Sequence, residues 1–197
     1  MKKKFFIIIF LIFAFTQKSF GYSSDPKQFI TEIVNEAKSI LVDTNTKEFK
    51  STKLSEMALR TVDIKGVAYY SLGNYRKLLK DGQLEEYLTL FEKYFLKSFT
   101  SRLTDYSDPK INVVSTEVIN DKYTIVKSVL LATDKRPEVK IEWRVYTKNP
   151  DKPLIRDLII EGLSLARTQK EEFASVIETN NGDINKLFIT LKEFTAK

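Results

Sequence analysis

The stretch EVKIEWRVYT, residues 138–147, alternates strictly between apolar and polar side chains. Successive side chains of a β-strand point to opposite faces of a sheet, so this pattern predicts a strand with one buried face and one face toward water. The apolar set is Val139, Ile141, Trp143 and Val145, and the polar set is Lys140, Glu142, Arg144 and Tyr146. We therefore expect a sheet that is covered on one side only.

Three further stretches have the same two-residue period, and turn-forming residues separate them. The stretches are 111–119, 122–132 and 154–161, and the turns are 120–121, 134–137 and 149–153. Connections this short join neighbouring antiparallel strands. The segment 111–161 therefore predicts a four-stranded antiparallel meander.

Apolar residues recur at helical spacing on both sides of this sheet. Ser24 or Asp25 can cap the first helix, with Pro26 in its first turn. Helices are predicted at 25–42, 47–60, 66–79 and 84–103, and after the sheet at 164–178 and 183–194. We expect an α+β fold: a four-stranded antiparallel curved sheet packed by N-terminal helices (25–104) and C-terminal helices (164–195) around an apolar cavity, NTF2- or cystatin-like in part.

The first 21 residues, MKKKFFIIIFLIFAFTQKSFG, have the pattern of a secretory signal peptide. Three lysines precede an apolar run from Phe5 to Phe15, and small residues follow at Ser19 and Gly21. The alternative is a retained membrane anchor, but a spanning helix needs about 20 apolar residues. We predict cleavage near Gly21, a single mature domain over 22–197, and a location outside the cytoplasm.

The mature chain carries less charge than the whole sequence suggests. The 197 residues hold 32 Lys and Arg against 26 Asp and Glu, but residues 1–21 contribute four lysines and no acid. Residues 22–197 therefore carry 28 minus 26, or +2. This small excess, without a basic tract interleaved with aromatic residues, argues against a nucleic-acid partner.

The sequence contains neither cysteine nor histidine. That composition excludes Ser–His–Asp and Cys–His catalysis and the usual zinc sites. Carboxylate chemistry remains possible, and we predict no metal site.

The segment RDLIIEGLSL, residues 156–165, with Phe173 in the following helix, is similar to the C-terminal signature of the MlaC family, also called the toluene-tolerance auxiliary proteins. In that family an aspartate-containing strand ends in Glu-Gly-x-Ser before a helix that carries Phe or Trp. Three more blocks resemble the family: residues 62–66 with 72–75, the aromatic helix 86–99, and residues 181–187, in which Asp183 precedes Ile184 and does not follow it. The resemblance spans nearly all of 22–197.

The resemblance implies a carrier in the periplasm and not an enzyme, so we predict no catalytic residue. Its cargo would be a glycerophospholipid held by the acyl tails, with no cofactor besides this cargo. Its partners would be an inner-membrane MCE-type ABC transporter complex and an outer-membrane lipoprotein complex, and we expect a monomer. A hopanoid or another apolar molecule remains an alternative cargo.

A carrier needs an apolar cleft, and the resemblance suggests which residues line it. They are Tyr70, Phe91, Phe95, Phe99, Ile125, Val129, Ile141, Trp143, Val145, Leu158, Ile160 and Leu163. Held slightly apart, these side chains would line a slot, and a six-residue strand spans about 20 Å, close to an extended acyl chain. Packed together, they would form an ordinary core, as expected of a scaffold or adaptor protein.

The carboxylates Asp157 and Glu161 offer the second alternative, a small exported hydrolase or isomerase that uses carboxylate chemistry. The other interpretation is a structural corner between strand and helix. In it Asp157 or Glu161 pairs with Arg144, Arg156 or Lys140, Gly162 gives backbone freedom, and Ser164 caps the next helix.

Overall fold

The computed structural model describes residues 21–134 and 136–196. The predicted signal peptide lies outside these residues, apart from Gly21. Within the described part of the chain, no helix has both the length and the apolar character needed to cross a membrane.

The sheet has five strands in sequential order, and every neighbouring pair is antiparallel. The strands are β1 (Ile111–Asn120), β2 (Tyr123–Leu130), β3 (Val139–Tyr146), β4 (Leu154–Ile160) and β5 (Leu163–Ser164). Irregularities in the register of β1 and of the β3–β4 pair bend the strands locally. The predicted α+β fold with an antiparallel meander is confirmed, with one correction: the sheet has five strands and not four.

The additional strand follows a two-residue hairpin turn at Glu161 and Gly162. Both residues have positive φ, +49° and +83°, as the tightest hairpins require. Glu161 is held to β3, because its N–H donates to the carbonyl of Lys140 (3.1 Å) and its Oε1 accepts from the N–H of Lys140 (2.5 Å). The two-residue strand is too short to produce a periodic pattern, so the sequence indicated only a corner here.

The described residues form six α-helices besides the sheet, and side-chain caps mark where several of them begin. They are α1 (Pro26–Val42), α2 (Lys47–Thr61), α3 (Ile64–Leu72), α4 (Gln83–Leu103), α5 (Leu165–Glu178) and α6 (Ile184–Ala196). Asp25 Oδ1 accepts from the N–H of Gln28 (2.8 Å), so Asp25 is the cap of α1, one of the two candidates in the sequence. The predicted helix 66–79 is wrong in extent, because Gly73 at φ +54° ends α3 and a 3₁₀ helix, Gly73–Leu78, follows.

Most buried apolar side chains of the described residues form two clusters. The sheet cluster joins α1, α2 and the sheet, with Phe29, Leu54, Val126 and Val145 among its buried members. The helical cluster joins α3, α4, α5 and α6, with Leu72, Tyr87, Phe173 and Leu187 among its buried members. Helix α4 contributes to both, since Phe91 is buried in the helical cluster and Phe99 packs against the sheet cluster.

Candidate functional site

One face of the sheet, called the inner face here, carries the buried residues Val126 and Val145 that pack in the sheet cluster. The register places Trp143 directly opposite Val126 on β2 and Leu158 on β4. Ile141 lies opposite Ile160, which in turn lies opposite Leu163. The structure therefore brings five predicted slot residues of β3 and β4 onto one face: Ile141, Trp143, Val145, Leu158 and Ile160, with Leu163 beside them on β5.

Ile125 and Val129 lie on the opposite face, so their expected place in the same slot is wrong. Ile125 pairs with Arg144, and Val129 pairs with Lys140, both of which point away from the inner face. Strand β2 carries apolar side chains on both faces. Its alternation therefore does not reveal which face is turned inward, and only the pairing with β3 decides it.

The inner face is covered unevenly. Helix α1 packs against β1 and β2, and Val145 and Ile155 are buried in the cluster to which α1 contributes. Toward β4 and β5 the cover is incomplete: Trp143, Leu158 and Ile160 are only half-buried, and Leu163 is 58% exposed. We call these four residues the apolar strip.

Helix α4 presents a ladder of aromatic rings that extends from one cluster to the other. Phe91 is buried against Tyr87 and Phe173, with ring centroids 5.8 and 6.1 Å away. Phe95 stacks on Phe99 with centroids 5.9 Å apart and an interplanar angle of 8°. Phe95 and Phe99 are half-buried, and Phe99 packs against the same cluster as Trp143.

Three of the predicted slot residues lie away from the inner face or are fully packed. Tyr70 is 46% exposed on α3, with the ammonium of Lys170 5.5 Å from its ring centroid. Phe91 and Val145 have exposed fractions of 1% and 0%, so in this structure they are core residues. Helical spacing alone could not separate Phe91 from Phe95, because both lie on the same side of α4.

Sequence reasoning missed the polar group that orients Trp143. The indole N–H donates to Ser128 Oγ (2.8 Å), and that hydroxyl donates to the carbonyl of Ile141 (3.3 Å). Ser128 is 2% exposed and lies on the inner face of β2 opposite Ile141. A lone serine in an apolar strand is a weak signal, but a buried indole N–H needs such an acceptor.

The predicted corner is built around Asp157. Its carboxylate accepts from Ser164 Oγ (2.6 Å) and from the N–H of Ala166 (3.0 Å), and the guanidinium of Arg144 lies 3.7 Å away. Ser164 also caps α5 by accepting from the N–H of Arg167 (3.1 Å). Asp157 thus satisfies the first turn of α5, where a negative charge is favourable.

The carboxylates of Asp157 and Glu161 do not share one set of partners. Asp157 is 6% exposed and engaged with α5, whereas Glu161 is exposed in the hairpin turn and engaged with Lys140. These contacts are those of a structural corner, because each carboxylate binds groups of the neighbouring strand or helix. Within the described residues, no group of three or more acidic side chains is arranged to hold a metal ion.

A second polar link ties α3 to the sheet. Arg156 Nε donates to Oδ2 of Asp63, the N-cap of α3 (2.7 Å), and Arg156 Nη2 forms an ion pair with the same oxygen (2.6 Å). Its guanidinium also donates to Tyr123 Oη (2.8 Å) and lies 3.5 Å from the ring centroid of Tyr146. Burial alone lowers the pKa of Arg156, but these hydrogen bonds outweigh it and raise the pKa, so the group stays charged.

Two surface concavities lie away from the apolar strip. One has a volume of 200 Å³ and is lined by residues that include Ile64, Ala68, Leu88 and Glu92. The other, of 610 Å³, is lined by Glu36, Lys53, Glu56, Leu59 and Arg60. The first is smaller than the roughly 300 Å³ at which ligand pockets begin, and the second is lined mainly by charged groups. Neither is suited to acyl tails.

Comparison with known proteins identifies the family. The family model described as "MlaC protein" matches residues 28–193, so the chain belongs to the MlaC family. A phospholipid-binding protein from Ralstonia solanacearum, whose structure was solved in complex with a phospholipid, superposes with a TM-score of 0.71 at 19% sequence identity. The superposition covers 88% of this chain and 97% of the other chain. It confirms the fold, and the family match confirms the resemblance seen in the sequence.

Proposed function

We propose that this protein binds a phospholipid by its acyl tails between the apolar strip and the aromatic ladder of α4. The supporting observation is that Trp143, Leu158 and Ile160 stay half-buried on the inner face of the sheet, while Phe95 and Phe99 stay half-buried on α4. Family membership and the phospholipid in the Ralstonia protein support this cargo.

The energetics of burial favour a carrier that releases its cargo only with help. Each buried CH₂ contributes about 0.8 kcal/mol, so one 16-carbon tail contributes roughly 12 kcal/mol. Spontaneous loss to water is then very slow. We infer that partners open the site: an outer-membrane lipoprotein complex at one end and an inner-membrane ABC transporter complex at the other. In this proposal the protein is exported to the periplasm, acts as a monomer and catalyses no reaction.

The direct test is extraction and identification of lipid from the purified mature chain, residues 22–197, by mass spectrometry. We expect glycerophospholipid in a fixed molar ratio to protein. A hopanoid in that ratio would keep the carrier role and change the cargo. Protein that contains no lipid, or that releases its lipid rapidly into dilute buffer, would contradict the proposal.

A matched pair of variants on β4 locates the site. Leu158→Glu places a charge on the inner face, whereas Ile159→Glu places the same charge one residue away on the other face, opposite Glu142. Both residues are half-buried. We expect Leu158→Glu to reduce bound phospholipid by at least about tenfold, because an uncompensated charge among acyl tails is strongly unfavourable. Ile159→Glu should retain the lipid, and equal losses in both variants would contradict this site.

A further inference from the structure

The segment from Ile64 to Lys80, which comprises α3 and the 3₁₀ helix, is a concentrated source of positive charge. It holds Lys65, Arg76, Lys77 and Lys80 and no Asp or Glu. Residues 22–197 carry 28 cationic and 26 acidic side chains, so without these four cations the balance is 24 minus 26, or −2. This segment therefore contributes four positive charges and no negative charge to a mature chain whose net charge is +2.

Two of these cations lie over one tyrosine ring, that of Tyr69. The Arg76 guanidinium lies 5.5 Å from the Tyr69 ring centroid, and the Lys65 ammonium lies 5.9 Å from the same ring. On the neighbouring helix α5, Lys170 is held over Tyr70 in the same way. Cation–π contacts of this kind orient a cation without neutralising it.

The same surface exposes apolar groups. Tyr70 and Leu78 are 46% and 53% exposed. We call Tyr69, Tyr70, Arg76, Lys77, Leu78 and Lys170 the tyrosine–cation patch. Among residues 21–134 and 136–196, none of its three cations has a carboxylate oxygen within 4.0 Å, whereas Lys38, Lys47, Arg60 and Lys192 elsewhere are ion-paired.

This combination matches the chemistry of a membrane surface. Tyrosine, lysine and arginine have apolar stems and polar tips, which suit the boundary between headgroups and acyl chains. Unpaired cations are attracted to anionic headgroups. The centres of protein–protein interfaces, by contrast, are depleted in lysine. We propose that the tyrosine–cation patch docks the protein on a bilayer that contains anionic phospholipid.

Docking is distinct from cargo binding, because no residue of the patch belongs to the apolar strip. The test uses lipid-loaded mature protein and vesicle flotation at low salt. One vesicle preparation is pure phosphatidylcholine, and the other is an equimolar mixture of phosphatidylcholine and phosphatidylglycerol. We expect binding to the mixed vesicles only, with affinity that falls as salt is raised.

The variant Arg76→Gln/Lys77→Gln/Lys170→Gln should bind the mixed vesicles about 100-fold more weakly, given the contribution of each cation near a charged bilayer. Its matched control is Lys122→Gln/Lys148→Gln/Lys152→Gln, which removes the same charge from exposed turns. The charge-preserving variant Arg76→Lys/Lys77→Arg/Lys170→Arg should bind as the wild type does.

Three results would overturn the docking proposal. They are equal losses in the patch variant and its control, absence of binding by the wild type, and retention by an immobilised acidic protein without retention by vesicles. The proposed cargo function is judged separately, since the patch variant should still contain phospholipid on extraction. Circular dichroism confirms that each variant is folded.

Discussion

At the scale of single residues, Asp157 links more elements than any other side chain of the corner. Among the described residues, Asp157 is the one buried residue with a charged side chain. It joins β4 to the first turn of α5 and lies next to Arg144 on β3. The Asp of the family signature therefore has a structural role here, as an acceptor that fixes the angle between the sheet and α5.

Asp157→Ala is expected to lower the free energy of unfolding by about 3 kcal/mol, because the N–H of Ala166 and the hydroxyl of Ser164 lose a charged acceptor. Asp151→Ala, an exposed aspartate in the turn before β4, should change it by less than about 0.5 kcal/mol. Urea unfolding followed by circular dichroism measures both. The carboxylate-enzyme alternative would be favoured if Asp157→Ala were fully stable but lost a hydrolytic activity of the wild type.

Trp143 offers a residue-scale probe of the site, because it is the one tryptophan of the sequence. It is half-buried and its indole is fixed by Ser128. Its fluorescence therefore reports on the inner face of the sheet alone.

At the scale of elements, the contact between Asp63 and Arg156 joins the N-terminus of α3 to β4. Gly66 lies in the first turn of α3, and a Cβ built there would lie 2.4 Å from Oδ2 of Asp63. The carboxylate is held by Arg156 and by the N–H of Gly66 (2.9 Å), so it has little freedom to move aside. Position 66 therefore favours glycine, because any larger side chain would collide with the Asp63 carboxylate.

Gly66→Ala is expected to destabilise the protein by about 1–3 kcal/mol, because the new methyl group displaces the carboxylate and weakens its bonds to Arg156. In an Asp63→Ala background the obstacle is gone. There the same change should be neutral or should stabilise by up to about 1 kcal/mol through helix propensity. A double-mutant cycle in urea gives the comparison, and equal effects in both backgrounds would contradict this account.

At the scale of the whole molecule, helix α4 contributes side chains to both apolar clusters. Its aromatic ladder begins in the helical cluster at Phe91 and reaches the sheet cluster at Phe99. A cargo placed between the ladder and the apolar strip would contact both clusters. If cargo binds there as proposed, loading depends on the separation of α4 and the sheet.

Phospholipid with bromine atoms on its acyl tails is expected to quench Trp143 fluorescence strongly when it is loaded into the protein, because quenching requires close contact of bromine and indole. The same lipid without bromine should leave the intensity nearly unchanged. Leu158→Glu, which should exclude the tails, serves as the control for free lipid. Bound brominated lipid that left Trp143 unquenched would place the tails away from the inner face.

Family membership and much of the fold could be predicted from the sequence, whereas the candidate site could be predicted only in part. The strict alternation of 138–147 fixed which side chains of β3 share a face. The same reasoning failed at β2, where Ile125 and Val129 face away from Trp143, and at Tyr70, which is exposed beside Lys170. Both failures concern segments with apolar residues on more than one side. In such segments the periodicity does not show which side faces inward.

The sequence by itself determined the α+β class, the antiparallel meander and the starts of α1 and α5, because periodicity, caps and turn residues act within a few positions of the chain. Tertiary structure alone decided the inward face of β2, the additional strand β5 and which aromatic rings of α4 stay accessible. Those features depend on pairing register and helix packing, which join residues far apart in sequence. The apolar strip stays partly accessible because α1 packs against β1 and β2, whereas Trp143, Leu158, Ile160 and Leu163 are incompletely covered.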